Sequence, residues 1–382
     1  MLDKTPTTSQ ATGELASKNA ASLPTDSAEQ LLPGQKQRWF AGLDSIRFLL
    51  AFVVVLSHFQ SPITTSMRHS SSAYLRPLGM LVNVSCTGIA AVIAFFIISG
   101  FVIHYPNKAG ISSKASFYSK RLIRVLIPLV IISLLGIPFG NPEKAVVWSL
   151  YCELIYYIIY PALVAAPTSW RTKLLVSFAV SGLLILTVGL HEVLSLLTQS
   201  DRNYHGEFWQ FGIGLTWIIG LPCWLLGVNL AERIDNQRQA VSTKRILLIR
   251  AAIISLTIGA QIAKFHFYFS YIIAFTLLAF PIMKWLEIEI VYYKSNAPLP
   301  FLEKWGKFSY SLYLCHPLIL AVLAVTLPLT SYTYFPYLFS CLAFSYGFYL
   351  ILEKPAHLLA ARMSMRFSKP ALSRQLIQAN PS

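Results

Sequence analysis

LDSIRFLLAFVVVLSHF, residues 43–59, is an apolar segment that carries two ionisable residues, Arg47 and His58, eleven positions apart. At ~100° and ~1.5 Å per residue, eleven positions make three turns plus ~20°, so both side chains share one helical stripe, about 16 Å apart along the axis. Ionisable groups are expensive in a bilayer and face a bundle interior or a water-filled cavity. The pair can therefore connect a ligand near one membrane face to a reaction nearer the other.

The rest of the chain supports the membrane reading. Only 12% of its 382 residues are charged and 55% are hydrophobic, with a mean hydropathy of +0.56. A soluble domain carries about a quarter charged residues. Apolar runs near the ~20 residues needed to span a bilayer recur throughout. They predict an all-α, polytopic membrane bundle of about ten helices, over 43–62, 81–104, 121–139, 147–166, 172–190, 209–231, 246–264, 266–284, 305–328 and 334–353. The break between the seventh and eighth rests on Lys264 and His266.

The net charge of +15 does not signal nucleic-acid binding, because the basic residues sit in short connections between apolar runs. There they anchor topology. Placing the N-terminus in the cytoplasm puts 22 Lys/Arg on that side and five on the other, with both termini inside. Residues 1–38, rich in Ser, Thr, Ala and Gln, read as a disordered cytoplasmic tail without a signal-peptide pattern. Residues 39–357 form the membrane domain, and 358–382 a cytoplasmic C-terminal tail. The five cysteines form no CxxC pair, so neither a disulfide framework nor a metal site is expected. The external connection near 191–208 holds Glu192, Asp201, Arg202, His205 and Glu207. It reads as a solvated loop or as part of an entrance for a polar acceptor.

Further polar residues lie within the predicted helices. In YSKRLIRVLIP, Arg121 and Arg124 are three apart on one face at a helix N-terminus, where guanidinium forks and the helix dipole suit phosphate. A positive-inside anchor accounts for Arg121 equally well, but less well for the deeper Arg124. In WSLYCELIYY, Trp148 marks the interface and Glu153 lies about one and a half turns inside, at a depth similar to that of His58. An acid there can orient an imidazole, or it can simply bond two helices together. His58 itself suits general-base chemistry. Asp44 neutralises Arg47. The run FSYSLYLCHP brings Tyr310, Ser311, Tyr313 and His316, with His316 a second candidate imidazole and Pro317 a predicted kink. Glu353-Lys354-Pro355 reads as an interfacial pair and a helix stop. No GxSxG, HExxH, P-loop or GxGxxG is present.

Together these segments resemble the acyltransferase-3 family of integral membrane acyltransferases. The resemblance covers most of 41–357 and rests on LDSIRFLLAFVVVLSHF, FFIISGFVI (95–103), RLIR (121–124), WSLYCELIYY (148–157), YSLYLCHPLI (310–319) and LEKP (352–355), in that order. It implies a ten-helix domain in a bacterial inner membrane that takes an acyl group, usually acetyl, from cytoplasmic acyl-CoA. The implied acceptor is a hydroxyl of a surface glycan or its lipid-linked precursor. By that likeness His58 is catalytic, Arg47, Arg121 and Arg124 contact the acyl-CoA, and Glu153 is the family's acid. Many members carry a second acid directly after it, where this chain has Leu154. Trp148, Tyr313, His316 and Asp44 are supporting residues. The competing reading is a transporter or flippase of a polar or lipid-linked metabolite, which intramembrane Arg, Glu and His also suit.

Overall fold

The computed structural model describes residues 40–198, 206–237, 240–267 and 269–368, and among these every regular element is helical. The proposed N-terminal tail, Asp201, Arg202, His205 and residues 369–382 lie outside the described residues.

The first apolar segment is two helices, α1 (Leu43–His58) and α2 (Pro62–Arg68), meeting at 59°. Ser61 caps α2 and Pro62 occupies its first turn, so the local sequence favours a new helix there. Next come α3 (Leu75–Ser85), α4 (Gly88–His104), α5 (Lys114–Gly136) and α6 (Lys144–Ala165). They are followed by α7 (Trp170–Thr187), α8 (Leu190–Thr198), α9 (Gly212–Arg233) and α10 (Thr243–Phe267). The chain continues with α11 (Tyr271–Tyr292), α12 (Pro300–Gly306), α13 (Ser309–Thr326), α14 (Tyr334–Phe348) and α15 (Lys354–Ser368). Among the described residues nine spans are long and apolar enough to cross a membrane, or ten if the bent α1–α2 pair counts as one. The expected break near Lys264 and His266 falls a few residues later, where Ser270 caps α11.

The predicted helix stop at Glu353-Lys354-Pro355 does not occur. A π-helical turn over Tyr349–Glu353 leads directly into α15, which carries Pro355 in its first turn and runs to Ser368. Lys354 N–H bonds to the Tyr349 carbonyl five residues back, so the backbone is already in π register where Pro355, which has no N–H to give, follows. Residues 358–368, expected in a tail, lie beside α5, with Ser364 Oγ 2.6 Å from Ser116 Oγ. Pro317 likewise sits inside α13 without ending it.

Helix α4 is the centre of the bundle: 67% of the apolar window in its span is buried, against 17% for α10. It crosses α9 where Gly100 meets Trp224 and Gly227 meets Ile97, backbone against backbone. Small residues allow such approaches in a bilayer, where packing rather than hydrophobic transfer holds helices together. A β-carbon on Gly227 would overlap the Ile97 carbonyl oxygen, whereas Gly259 on α10 has open space around it. Gly227→Ala is therefore expected to lower the unfolding midpoint of the solubilised protein by several degrees, an overpacking cost of ~1–3 kcal/mol. Gly259→Ala should unfold at or slightly above the wild-type midpoint. Scanning fluorimetry checks both, and equal midpoints would refute the tight crossing.

Candidate functional site

Helices α1, α4, α5, α6 and α13 line a partly open cavity of ≈ 120 Å³. Its lining follows α4 from Ile103 to Val92, a distance of about 16 Å along the axis. Three guanidiniums line it: Arg47 from α1, with Arg121 and Arg124 from α5. Spacing of three on α5 turns the latter two to one side of that helix. The walls include Phe95, Phe96, Ile98, Val102 and Leu150, and Ser149 and Tyr313 also line it. Among the described residues neither Arg121 nor Arg124 makes a hydrogen bond or ion pair. Arg47 reaches Asp44 only at 3.5 Å.

The acids nearby are engaged elsewhere. Glu153 Oε1 accepts hydrogen bonds from Ser99 Oγ at 2.7 Å and from Tyr157 OH. Trp224 Nε1 donates to Ser99 Oγ in turn, at 3.3 Å. Glu353 is buried and accepts from the Ser311 backbone N–H at 3.1 Å and from the Ser311 hydroxyl. Glu303 accepts from Ser45 N–H at 3.2 Å and Ser45 Oγ at 2.7 Å. An arginine cannot shed its charge by deprotonation. Guanidiniums in such surroundings are suited to anionic oxygens, which they bind through paired N–H donors.

His58 closes α1 at the bend and is exposed. It does not line the cavity. Its ring lies 5.1 Å from that of His316, edge to face, and His316 is fully buried on α13. The Tyr313 ring is 6.0 Å from that of His316. At its other end the Tyr313 hydroxyl is 2.8 Å from Ser149 Oγ and donates to the Val146 carbonyl at 3.1 Å. A continuous line of rings, Tyr313, His316 and His58, thus leads from the cavity to the end of α1.

The structure gathers Arg47, Arg121, Arg124, Glu153 and Tyr313 around one cavity, and His58 and His316 beside it. It does not bring Glu153 to His58: the carboxylate faces Ser99 and Tyr157 instead. Trp148 stacks on Phe208 with ring centroids 6.0 Å apart and stands behind the cavity wall through Phe96. Asp44 is buried beneath Arg47. Sequence reasoning missed Ser99, Tyr157 and Ser149. Tyr157 was findable, because it stands four residues after Glu153 and so on the same face. Ser99 and Ser149 carry no spacing signal of their own. Among the described residues no three His, Cys, Asp or Glu side chains converge as metal ligands.

A membrane helix bundle with an arginine-lined internal cavity defines the class. Within it, residues 40–353 match the model of the acyltransferase-3 family, described as an acyltransferase domain, and the chain belongs to that family. Searches of curated proteins and of solved structures found no match.

The unpaired guanidiniums make a direct prediction. Inorganic pyrophosphate, titrated into the solubilised protein by calorimetry, should bind with an affinity that falls as salt is raised. Arg121→Ala and Arg124→Ala should each weaken it about tenfold or more, the loss of one charge-assisted contact. Unchanged affinity in both variants would show that the cavity is not an anion site.

Proposed function

We propose that this acyltransferase is an O-acyltransferase that moves an acyl group, acetyl in the first instance, from cytoplasmic acyl-CoA. The acceptor is a hydroxyl of an extracytoplasmic or lipid-linked saccharide. The observation that carries the reading is the cavity itself: three guanidiniums, two of them without a partner, continuous through Tyr313 and His316 with an exposed histidine. The family match supports an acyltransferase over the transporter alternative. The strong basic bias of one set of connections supports placing Arg47, and both termini, on the cytoplasmic side of a bacterial inner membrane.

In this reading Arg47, Arg121 and Arg124 hold the donor's phosphates. The chain between pyrophosphate and sulfur has about the reach of four extended residues, roughly 14 Å. That length is comparable to the interval between Arg47 and His58 on α1, so an arm extended from the arginines past Tyr313 would carry the thioester towards His58. His58 removes the proton of the acceptor hydroxyl as its oxygen attacks the thioester carbonyl. The new C–O bond forms, the C–S bond breaks, and the departing thiolate takes the proton back from His58. Glu153, fixed by Ser99 and Tyr157, balances part of the positive charge around the donor and holds α4 and α6 in register.

Purified protein in nanodiscs, supplied with labelled acetyl-CoA and native envelope glycan, tests this. His58→Ala should lower label transfer by about a hundredfold or more, a general-base effect, while donor binding and thermal stability stay unchanged. Arg124→Ala should instead raise the donor KM. Full transfer by a folded His58→Ala protein would sink the assignment of His58, and no turnover with any of a panel of acyl-CoAs would sink the reaction.

A further inference from the structure

His316 is followed by Pro317, and this dipeptide has a specific consequence inside α13. Proline has no N–H, so the carbonyl four residues earlier, that of Tyr313, loses its helical donor. His316 Nδ1 fills the gap, donating to the Tyr313 carbonyl at 2.7 Å. Because a carbonyl can only accept, the proton is on Nδ1, and Nε2 is left with its lone pair. That Nε2 is fully buried and has no hydrogen-bond partner. Buried polar atoms without a partner are rare and call for a reason. The neighbouring group able to supply a donor is His58, whose ring centroid is 5.1 Å away. The χ2 torsion of an exposed histidine is soft, so turning the His58 ring can bring an N–H to Nε2. Among the described residues no carboxylate is hydrogen-bonded to His58, and Glu153 is bonded elsewhere.

We propose that His316 is a positioning residue for acyl transfer: its Nε2 accepts the single N–H of neutral His58, so that the other His58 nitrogen presents its lone pair to the acceptor hydroxyl. The reaction concerned is the one proposed above. His58 takes the hydroxyl proton and later delivers it to the thiolate, and throughout both steps its other N–H stays bonded to His316. No net proton passes to His316. This histidine does with a neutral acceptor what a carboxylate does in a triad, and it places no second negative charge beside the developing oxyanion.

The test compares wild type, His316→Phe, which keeps a ring without an acceptor, and His316→Gln, which carries an acceptor to about the place of Nε2. Transfer kinetics are read alongside nitrogen NMR of protein labelled at histidine, with the His58 signals assigned by their loss in His58→Ala. The expected result is a single His58 tautomer in wild type and in His316→Gln, and a mixture in His316→Phe. Transfer by His316→Phe should fall about a hundredfold in kcat at unchanged donor KM, and His316→Gln should regain at least tenfold of that. Adding His316→Phe to His58→Ala should cost nothing further. An unchanged His58 tautomer in His316→Phe, or equal kcat losses in the Phe and Gln variants, would overturn the proposal. The spectra need no turnover, so they decide on the histidine pair even where the reaction itself is refuted.

Discussion

An arginine inside an apolar bundle must find negative charge, because it cannot become neutral and because hydrocarbon cannot solvate it. Most of the bundle obeys this with pairs of its own. Arg250 holds Glu289 through two bonds of 2.7 and 2.8 Å, and Arg233 reaches Glu287 at 2.9 Å. Lys264 binds Glu207 at 2.7 Å while lying 3.2 Å over the Tyr271 ring. Arg121 and Arg124 break the pattern, although carboxylates are available on neighbouring helices. Glu153, Glu303 and Glu353 are instead tied to hydroxyls and amides, and Asp44 faces Arg47. Among the described residues these two charges have no partner, which suits the proposed role of holding the donor's phosphates.

How those carboxylates are tied explains the precision of the site. Helices α1 and α13 carry the two imidazoles, and each is anchored at its N-terminus in the same way. Ser45 and Ser311 both stand third in their helices, and each gives a backbone N–H and a hydroxyl to one carboxylate oxygen from another segment. Glu303 of α12 serves α1, and Glu353 of the π turn serves α13. Early amides of a helix have no intrahelical acceptor, and a negative charge there is favoured by the helix dipole. The acids therefore fix where two helices begin, and through them where His58 and His316 stand, thirteen and five residues after the anchoring serines. The π turn has a use in this light, since it brings Glu353 inward to Ser311 at the point where a regular helix was expected to end.

Periodicity and charge made the spans and the shared stripe of Arg47 and His58 legible, because both depend on spacing along one helix. Depth was legible only in part: Glu153 does lie within a span, but it bonds Ser99, eleven residues along α4 from the Gly88 that packs on Ser57, and so stands about 16 Å from the level of His58. Azimuth was not. Whether Glu153 faces α1 or α4 depends on how α6 is rotated against its neighbours, and α6 is apolar on nearly every side, so no stripe gives its rotation away. The pairing of His58 with His316 joins residues 258 positions apart, and nothing local to either could announce it. Pro355 misled for a different reason. The rule that proline ends a helix assumes an α-helical turn before it, and the π turn over Tyr349–Glu353 removes that assumption.

The division of labour between the two imidazoles follows from where α1 ends. A span that breaks within a bilayer must place its freed backbone groups against protein or water. His58 occupies that break, exposed at the last turn of α1. His316 lies a few ångströms away inside an unbroken helix whose proline has already fixed its protonated nitrogen. In the proposed reaction a polar acceptor approaching from outside would meet the first ring, while the buried second ring would stay out of its reach. In the same proposed reaction an acyl chain extending from the arginine cavity would arrive from the opposite direction, along α4 and past Tyr313. Two substrates that never share a compartment would thus meet at a single side chain held from behind, and the membrane need open to neither of them.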